Sequence, residues 1–263
     1  MHTPWRTLTE ERPTAESFEA LLENQIAAIR VEGFATAAEC GRFVGALLSS
    51  QVLKRYSIDI PAFYVGVSQF EYRQGGDLMD EYFAEVQTVR PVIKQIFARS
   101  FDPLQRIVSL LKETTGRRVR VAREDGYGEY CPIIIRYASA GLHLHSDFAP
   151  YNAPGWAIGA VDAQITWNLY VQVTQSGGVT TLYNFPWTAS DDETSRRGLP
   201  PDDLEDRSDI DSFTFTPVTG DVVFFNPRNP HKVAAGEFTT GANRISIGSF
   251  VGRLPSGDLI LWG

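Results

Sequence analysis

Beyond Gly116 the chain is cut by Gly, Pro, Asn and Asp into about ten short β-rich runs with no helical pattern between them. The runs are residues 118–122, 132–139, 142–147, 164–174, 180–185, 212–217, 221–226, 231–235, 243–251 and 258–262. Parallel strands need long crossover connections, usually helices, and these runs have none. Sheets built this way must pack face to face or close on themselves, so the segment is expected to form an all-β sandwich or barrel.

The first 115 residues read differently. Phe18, Leu21, Leu22, Ile26 and Ile29 recur at helical spacing, and 29–34 reads as a short strand. Thr36 and Glu39 are spaced as a capping box that opens a helix to about residue 50, with Phe43, Leu47 and Leu48 inward. Helices are also expected over about 78–100, after Gly75 and Gly76, and 103–115, whereas residues 1–13 read as a loosely docked arm. Between Tyr56 and Tyr72 the chain is rich in aromatics (Tyr56, Phe63, Tyr64, Phe70, Tyr72), a composition that suits either simple packing or one wall of an apolar pocket. We therefore expect an α+β chain: an all-β core, of jelly-roll type, behind a helical N-terminal layer. One catalytic domain is expected over 1–263, with 1–115 giving the helical layer and part of the pocket. Residues 116–263 give the core, with an acidic insertion at about 188–211.

That insertion carries most of the net charge of −8: nine acids against three bases between 191 and 211, a balance of −6. It reads as a lid or as a solvated insertion. The remainder is near neutral, which argues against a nucleic-acid partner. No apolar run approaches the length of a membrane span, and no signal peptide is visible at the start. Two cysteines, Cys40 and Cys131, are too few for a disulfide framework, so a cytoplasmic location is expected. A small molecule is the expected partner, and the chain is compatible with a homodimer.

Only four histidines occur in the chain, and three of them are His143, His145 and His231. On a strand, residues two apart share a face, so His145 and Asp147 present an imidazole and a carboxylate side by side. A second imidazole from His231, 86 residues on, would complete a 2-His-1-carboxylate set, the signature of non-haem Fe(II) oxygenases. His143 shares that face and stands as an alternative ligand, a supporting group or a pocket wall. Downstream, Arg244 and Ser246 also share a strand face. They offer a guanidinium fork and a hydroxyl to a carboxylate, and beside an iron triad the fitting carboxylate is the distal one of 2-oxoglutarate. Arg136 is a second candidate anchor, for substrate or cosubstrate, against a structural ion pair. Tyr64, Phe70, His143, Trp167 and Asn168 are candidate substrate contacts. Trp167, Asn168 and Tyr170 lie on one central strand, and which of them face the cavity is open.

The ordered pattern H-x-D, H, R-x-S resembles the Fe(II)/2-oxoglutarate-dependent dioxygenases over at least residues 130–263. Runs at 133–137, 176–187, 219–225, 244–250 and 259–262 are similar to the branch holding N-succinyl amino acid hydroxylases and the carrier-free halogenases of hapalindole-type alkaloids. Within 176–187, Asn184 and Trp187 match that branch and are open between site and structural roles. The resemblance implies a cupin-like double-stranded β-helix, with His145, Asp147 and His231 as metal ligands and catalytic centre. Fe(II), 2-oxoglutarate and O2 are then the implied cofactors, with succinate and CO2 released. In the halogenases of that branch, glycine replaces the carboxylate and makes room for chloride. This chain keeps Asp147, so hydroxylation of an unactivated C–H bond in an amino-acid derivative or specialised metabolite is expected. Desaturation, cyclisation, epimerisation and, less so, halogenation remain alternatives on the same centre. The rivals are a non-catalytic β-barrel that binds a small ligand and a cupin dioxygenase that needs no cosubstrate.

Overall fold

The computed structural model describes residues 3–56, 62–72, 78–137, 140–188, 199–237 and 243–263. Gly75 and Gly76, together with Asp191, Asp192, Glu193, Arg196 and Arg197 of the acidic stretch, lie outside the described residues.

The N-terminal part runs β1 (Glu10–Glu11), α1 (Ala15–Leu22), β2 (Ala28–Val31), α2 (Ala37–Ser50), β3 (Lys54–Arg55), β4 (Phe63–Val65), α3 (Leu78–Ala98) and α4 (Pro103–Thr115). The β-rich part continues with β5 (Val119–Val121), the pair β6 (Arg123–Glu124) and β7 (Gly128–Glu129), β8 (Ile134–Tyr137), β9 (Leu142–His145), a single turn α5 (Ala149–Asn152) and β10 (Ala163–Gln172). Then come β11 (Ser176–Gly177), β12 (Thr180–Tyr183), β13 (Ser212–Phe215), β14 (Val222–Phe225), β15 (His231–Val233), β16 (Gly236–Glu237), β17 (Ile245–Arg253) and β18 (Leu259–Trp262).

Local chemistry explains the helix ends. The Thr36 hydroxyl accepts from the Glu39 N–H at 3.2 Å while the Glu39 carboxylate accepts from the Thr36 N–H at 2.8 Å, closing the expected capping box of α2. Asp102 caps α4 with Pro103 behind it, and Gly116 ends that helix at φ +67. The helix α1 stops earlier than its periodicity suggests. Glu23 closes it and Asn24 turns left-handed (φ +56), so Ile26 and Ile29 are buried from outside the helix.

The Arg106 guanidinium and the Thr36 N–H hold the Glu39 carboxyl down to about 2. A depressed carboxylate contributes stability fully above its ordinary range and loses it as the pH falls to the folded value. Thr36→Ala is expected to destabilise the protein by about 1 kcal/mol. The check is a lower urea midpoint at unchanged slope, and an unchanged midpoint would mean that the cap does not hold α2.

Two sheets make the core. The large one runs β1-β2-β14-β10-β17-β8-β4-β3, with β18 joining β17 to β5, and the smaller one runs β13-β12-β15-β9. All ten β-rich runs read from the sequence contain a strand. Alternation along each strand divides the large sheet cleanly. Ile165, Trp167 and Leu169 of β10, Val222 and Phe224 of β14, and Ile247 of β17 enter one core with Phe18, Phe43 and Leu47 of the helices. Val223 and Phe225 turn the other way and pack with Leu182, Phe213 and Phe215 of the smaller sheet. The result is a jelly roll with helices on the outer face of its larger sheet, as the sequence implies. Among the described residues, sixteen buried polar or charged side chains break the apolar interior, and His231, Arg244 and Ser246 are among them.

The N-terminal arm is not loose from Thr3 onward. Trp5 is buried, its N–H donates to the Asp211 carboxylate at 3.1 Å, and β1 pairs in parallel with β2. Burial of one indole and a β-bridge fix a segment whose composition suggested otherwise. Among the described residues no helix is long and apolar enough to cross a membrane.

Candidate metal centre and active site

Antiparallel pairing of β9 with β15 sets His145 directly opposite His231. This register depends on Gly141, at φ +85 just before β9, where a Cβ would lie 2.5 Å from the Val233 carbonyl oxygen. Only glycine allows so close a backbone approach. The strand β9 ends at His145, so Asp147 is not on a strand as its spacing suggests. Its N–H instead donates to the Pro227 carbonyl at 2.8 Å, which holds it beside the two rings.

The three side chains converge. Asp147 Oδ2 lies 3.6 Å from His145 Nε2 and 3.9 Å from His231 Nε2, and one donor atom from each residue falls within 4.8 Å of the others. Each ring is aimed from behind. His145 Nδ1 donates to the His143 carbonyl at 2.7 Å and His231 Nδ1 to the Asn229 carbonyl at 3.0 Å. With Nδ1 carrying the proton, each Nε2 presents a lone pair to the common centre. Burial, and then the neighbouring His145, push the pKa of His231 well below 6.5, so this ring is neutral at pH 7. Donors held by one ion at about 2.1 Å lie about 3 Å apart when adjacent, so a small side-chain adjustment gathers these three on one metal. Two neutral imidazoles and a carboxylate suit Fe(II).

A cavity of about 380 Å³ opens over this cluster between the two sheets. Arg136, Arg244 and Ser246 line it; Arg136 stands opposite Ser246 in the β8–β17 ladder, so all three share the inner face. Arg244 is only 4% exposed, with its guanidinium carbon 5.1 Å from the centroid of the Tyr170 ring. Burial lowers its pKa, Tyr170 opposes that shift, and the Arg136 guanidinium adds to it. Two guanidiniums that repel each other across a cavity favour an anion between them.

Of the candidate substrate contacts, Phe70, His143 and Asn168 line the cavity. Trp167 does not: it points into the core under the helices, and its indole N–H donates to Ser249 Oγ at 2.7 Å. Its neighbours Thr166, Asn168 and Tyr170 take the inner face. Tyr64 is also displaced from the cavity wall. It lies behind Tyr56, the rings stacked at 4.2 Å, and its hydroxyl donates to the Glu71 carboxylate. Tyr56 itself lines the cavity and accepts from Arg136 Nε at 3.3 Å. Gln69, on a 3-10 turn that carries no sequence signal, and Leu199, within the acidic stretch, are wall residues that sequence patterning missed. Trp187 has its ring edge-on to Tyr151 outside this wall. In the acidic stretch, Glu205 accepts from Lys232 and Tyr183, which ties that segment to the smaller sheet.

Residues 8–257 match the family described as carrier-protein-independent halogenase WelO5. The chain belongs to this family. Leucinostatins biosynthesis cluster protein S of Purpureocillium lilacinum is 32% identical over 209 residues, covering 75% of this chain and 84% of the relative. The L-gamma-glutamyl-L-propargylglycine hydroxylase of Streptantibioticus cattleyicolor is 26% identical over 185 residues, 70% of this chain and 66% of the relative. Among solved structures, an N-substituted L-amino acid dioxygenase of Burkholderia ambifaria superposes with a TM-score of 0.63 at 15% identity, covering 95% of this chain and 91% of that one. Family and fold together place the chain among the 2-oxoglutarate-dependent oxygenases.

Proposed function

We propose that the chain hydroxylates an unactivated C–H bond of a small molecule, an amino-acid derivative or another specialised metabolite, using Fe(II), 2-oxoglutarate and O2. The observation that carries this reading is the Asp147 carboxylate standing between the two imidazole Nε2 atoms. His145, Asp147 and His231 would hold the iron, and the whole chain would act as one catalytic unit. Bound there, iron would activate O2 as the oxidant for C–H cleavage, with 2-oxoglutarate as the second group oxidised and succinate and CO2 as its products.

The protein's own residues do the positioning. Arg244 and Ser246 would take the distal carboxylate of 2-oxoglutarate, one through parallel N–H donors and the other through a hydroxyl. Arg136, on the same face, supplies the second positive charge. Phe70 and Phe250 line the cavity with apolar surface and keep water from the reacting carbon. The hydroxylase and dioxygenase among the similar proteins support the amino-acid-derived class. The family description names a halogenase, and Asp147 argues against that outcome here, because it fills the place that chloride would need. With chloride present, the product should be hydroxylated and free of chlorine by mass spectrometry; a chlorinated product would make halogenation the better reading.

The direct test is anaerobic titration of metal-free protein with Fe(II) and then 2-oxoglutarate, followed by screening of N-substituted amino acids for succinate release. A weak visible charge-transfer band on adding 2-oxoglutarate is expected. Folded protein without the band would remove the oxygenase reading and bring forward a ligand-binding barrel.

A further inference from the structure

We infer that Asn24 and Asn229 are positioning residues for the metal centre, acting through the backbone carbonyl that aims His231. The inference rests on the metal reading of the triad.

The two histidines are oriented by the same device, a hydrogen bond from Nδ1 to the carbonyl two residues earlier, but the two carbonyls are held differently. His143 lies within β9, which pairs with β15 on either side of a β-bulge, His145 opposite His231 and Leu142 opposite Val233. Asn229 lies outside any strand, in the turn that joins β14 to β15, closed by its N–H on the Asn226 carbonyl at 3.2 Å. The ring of Pro230, whose carbonyl accepts from the Tyr183 N–H at 2.9 Å, restrains this peptide from the C-terminal side only, which leaves the Asn229 side to be fixed. Here side chains take over. The Asn229 amide is 1% exposed and donates to the Asn24 side-chain oxygen. Asn24 donates in turn to Asn184 Oδ1 at 3.0 Å, and Asn184 to the Thr3 carbonyl at 2.9 Å. The relay runs in one direction and ends on a backbone acceptor, which fixes the orientation of every amide along it. Hydrogen bonds aligned in this way strengthen one another in a dry interior.

Asn24 can join this relay because it takes the left-handed conformation that ends α1, a shape that Asn tolerates and most residues do not. A residue 121 positions before His145 in sequence (145 − 24) therefore sets the angle of one imidazole. Losing an outer partner of a metal-binding histidine costs about 10- to 100-fold in metal affinity, and an effect passed through a peptide plane belongs at the lower end.

The test uses full-length protein and Co(II), whose visible bands report coordination geometry without redox chemistry, alongside anaerobic Fe(II). Metal-free parent, Asn229→Ala, Asn24→Gly and the double variant are titrated, with thermal unfolding run on each. Glycine accepts φ +56 without strain, so Asn24→Gly removes the amide and keeps the turn even if Asn229→Ala fails to fold. The expected result is about tenfold weaker metal binding in each single variant. The Co(II) bands should shift, and the double variant should bind no more weakly than the weaker single. Parent-like affinity and bands in Asn24→Gly, with only a lower melting temperature, would overturn the inference and leave the relay as scaffolding. A parent that binds neither metal would overturn the metal reading itself, and this inference with it.

Discussion

Asp147→Asn is expected to lower Fe(II)-dependent succinate release by more than about 100-fold, beyond the cost of losing an outer partner of the metal. The substitution keeps shape and volume while removing the negative charge. What remains at the centre is His145, a third exposed, and the buried His231, with no anion between them. A metal dication in a partly desolvated site then lacks its compensating charge, and affinity falls with activity. Iron content after dialysis, measured with succinate release, separates the two effects. Full iron occupancy with lost turnover would mean that Asp147 serves the reaction without holding the metal. Unchanged turnover would remove it from the centre.

Arg244→Ala is expected to raise the concentration of 2-oxoglutarate needed for half-saturation by about 30-fold or more, corresponding to at least about 2 kcal/mol for truncating one partner of a buried charge pair. The guanidinium is almost fully enclosed, stacked near Tyr170 and facing the same cavity as Arg136. Arg244→Lys should recover only part of the loss, because an ammonium supplies the charge without two parallel donors. The measurement is succinate release against 2-oxoglutarate concentration at saturating substrate. If the dependence on 2-oxoglutarate stays the same while that on substrate worsens, Arg244 recognises the substrate instead and Arg136 becomes the cosubstrate anchor.

The residues that gather at the centre were legible because strand geometry is periodic. His145 and Asp147 are two apart, as are Arg244 and Ser246, and a period of two suggests a shared face for each pair, although Asp147 lies past the end of β9, held by the Pro227 carbonyl, and Arg244 just before β17. The capping box at Thr36 and Glu39 was legible for the same reason, since its partners are three residues apart. Trp167 was misplaced because β10 is buried on both faces. Where neither face meets water, polarity no longer marks the inner side, and Trp167 and Asn168 are equally plausible as cavity residues. Tyr64 failed differently, through a stacking partner, Tyr56, that takes the wall in its place. The N-terminal arm looked free because nothing in its own composition announces Asp211 or β2 as partners.

The β-rich core, the helical layer before it and the pairs His145 with Asp147 and Arg244 with Ser246 were legible in the sequence, because each is written in spacings of two to four residues; His231 stood out only as one of four histidines, 86 residues after His145. Tertiary structure alone decided the register that sets His145 against His231, the choice of Tyr56 over Tyr64, and the relay from Asn229 through Asn24 and Asn184 to Thr3. Those contacts join residues up to 205 positions apart. No local period encodes such pairings; they exist only once the sheets have packed and the turn before β15 has come to rest on the end of α1.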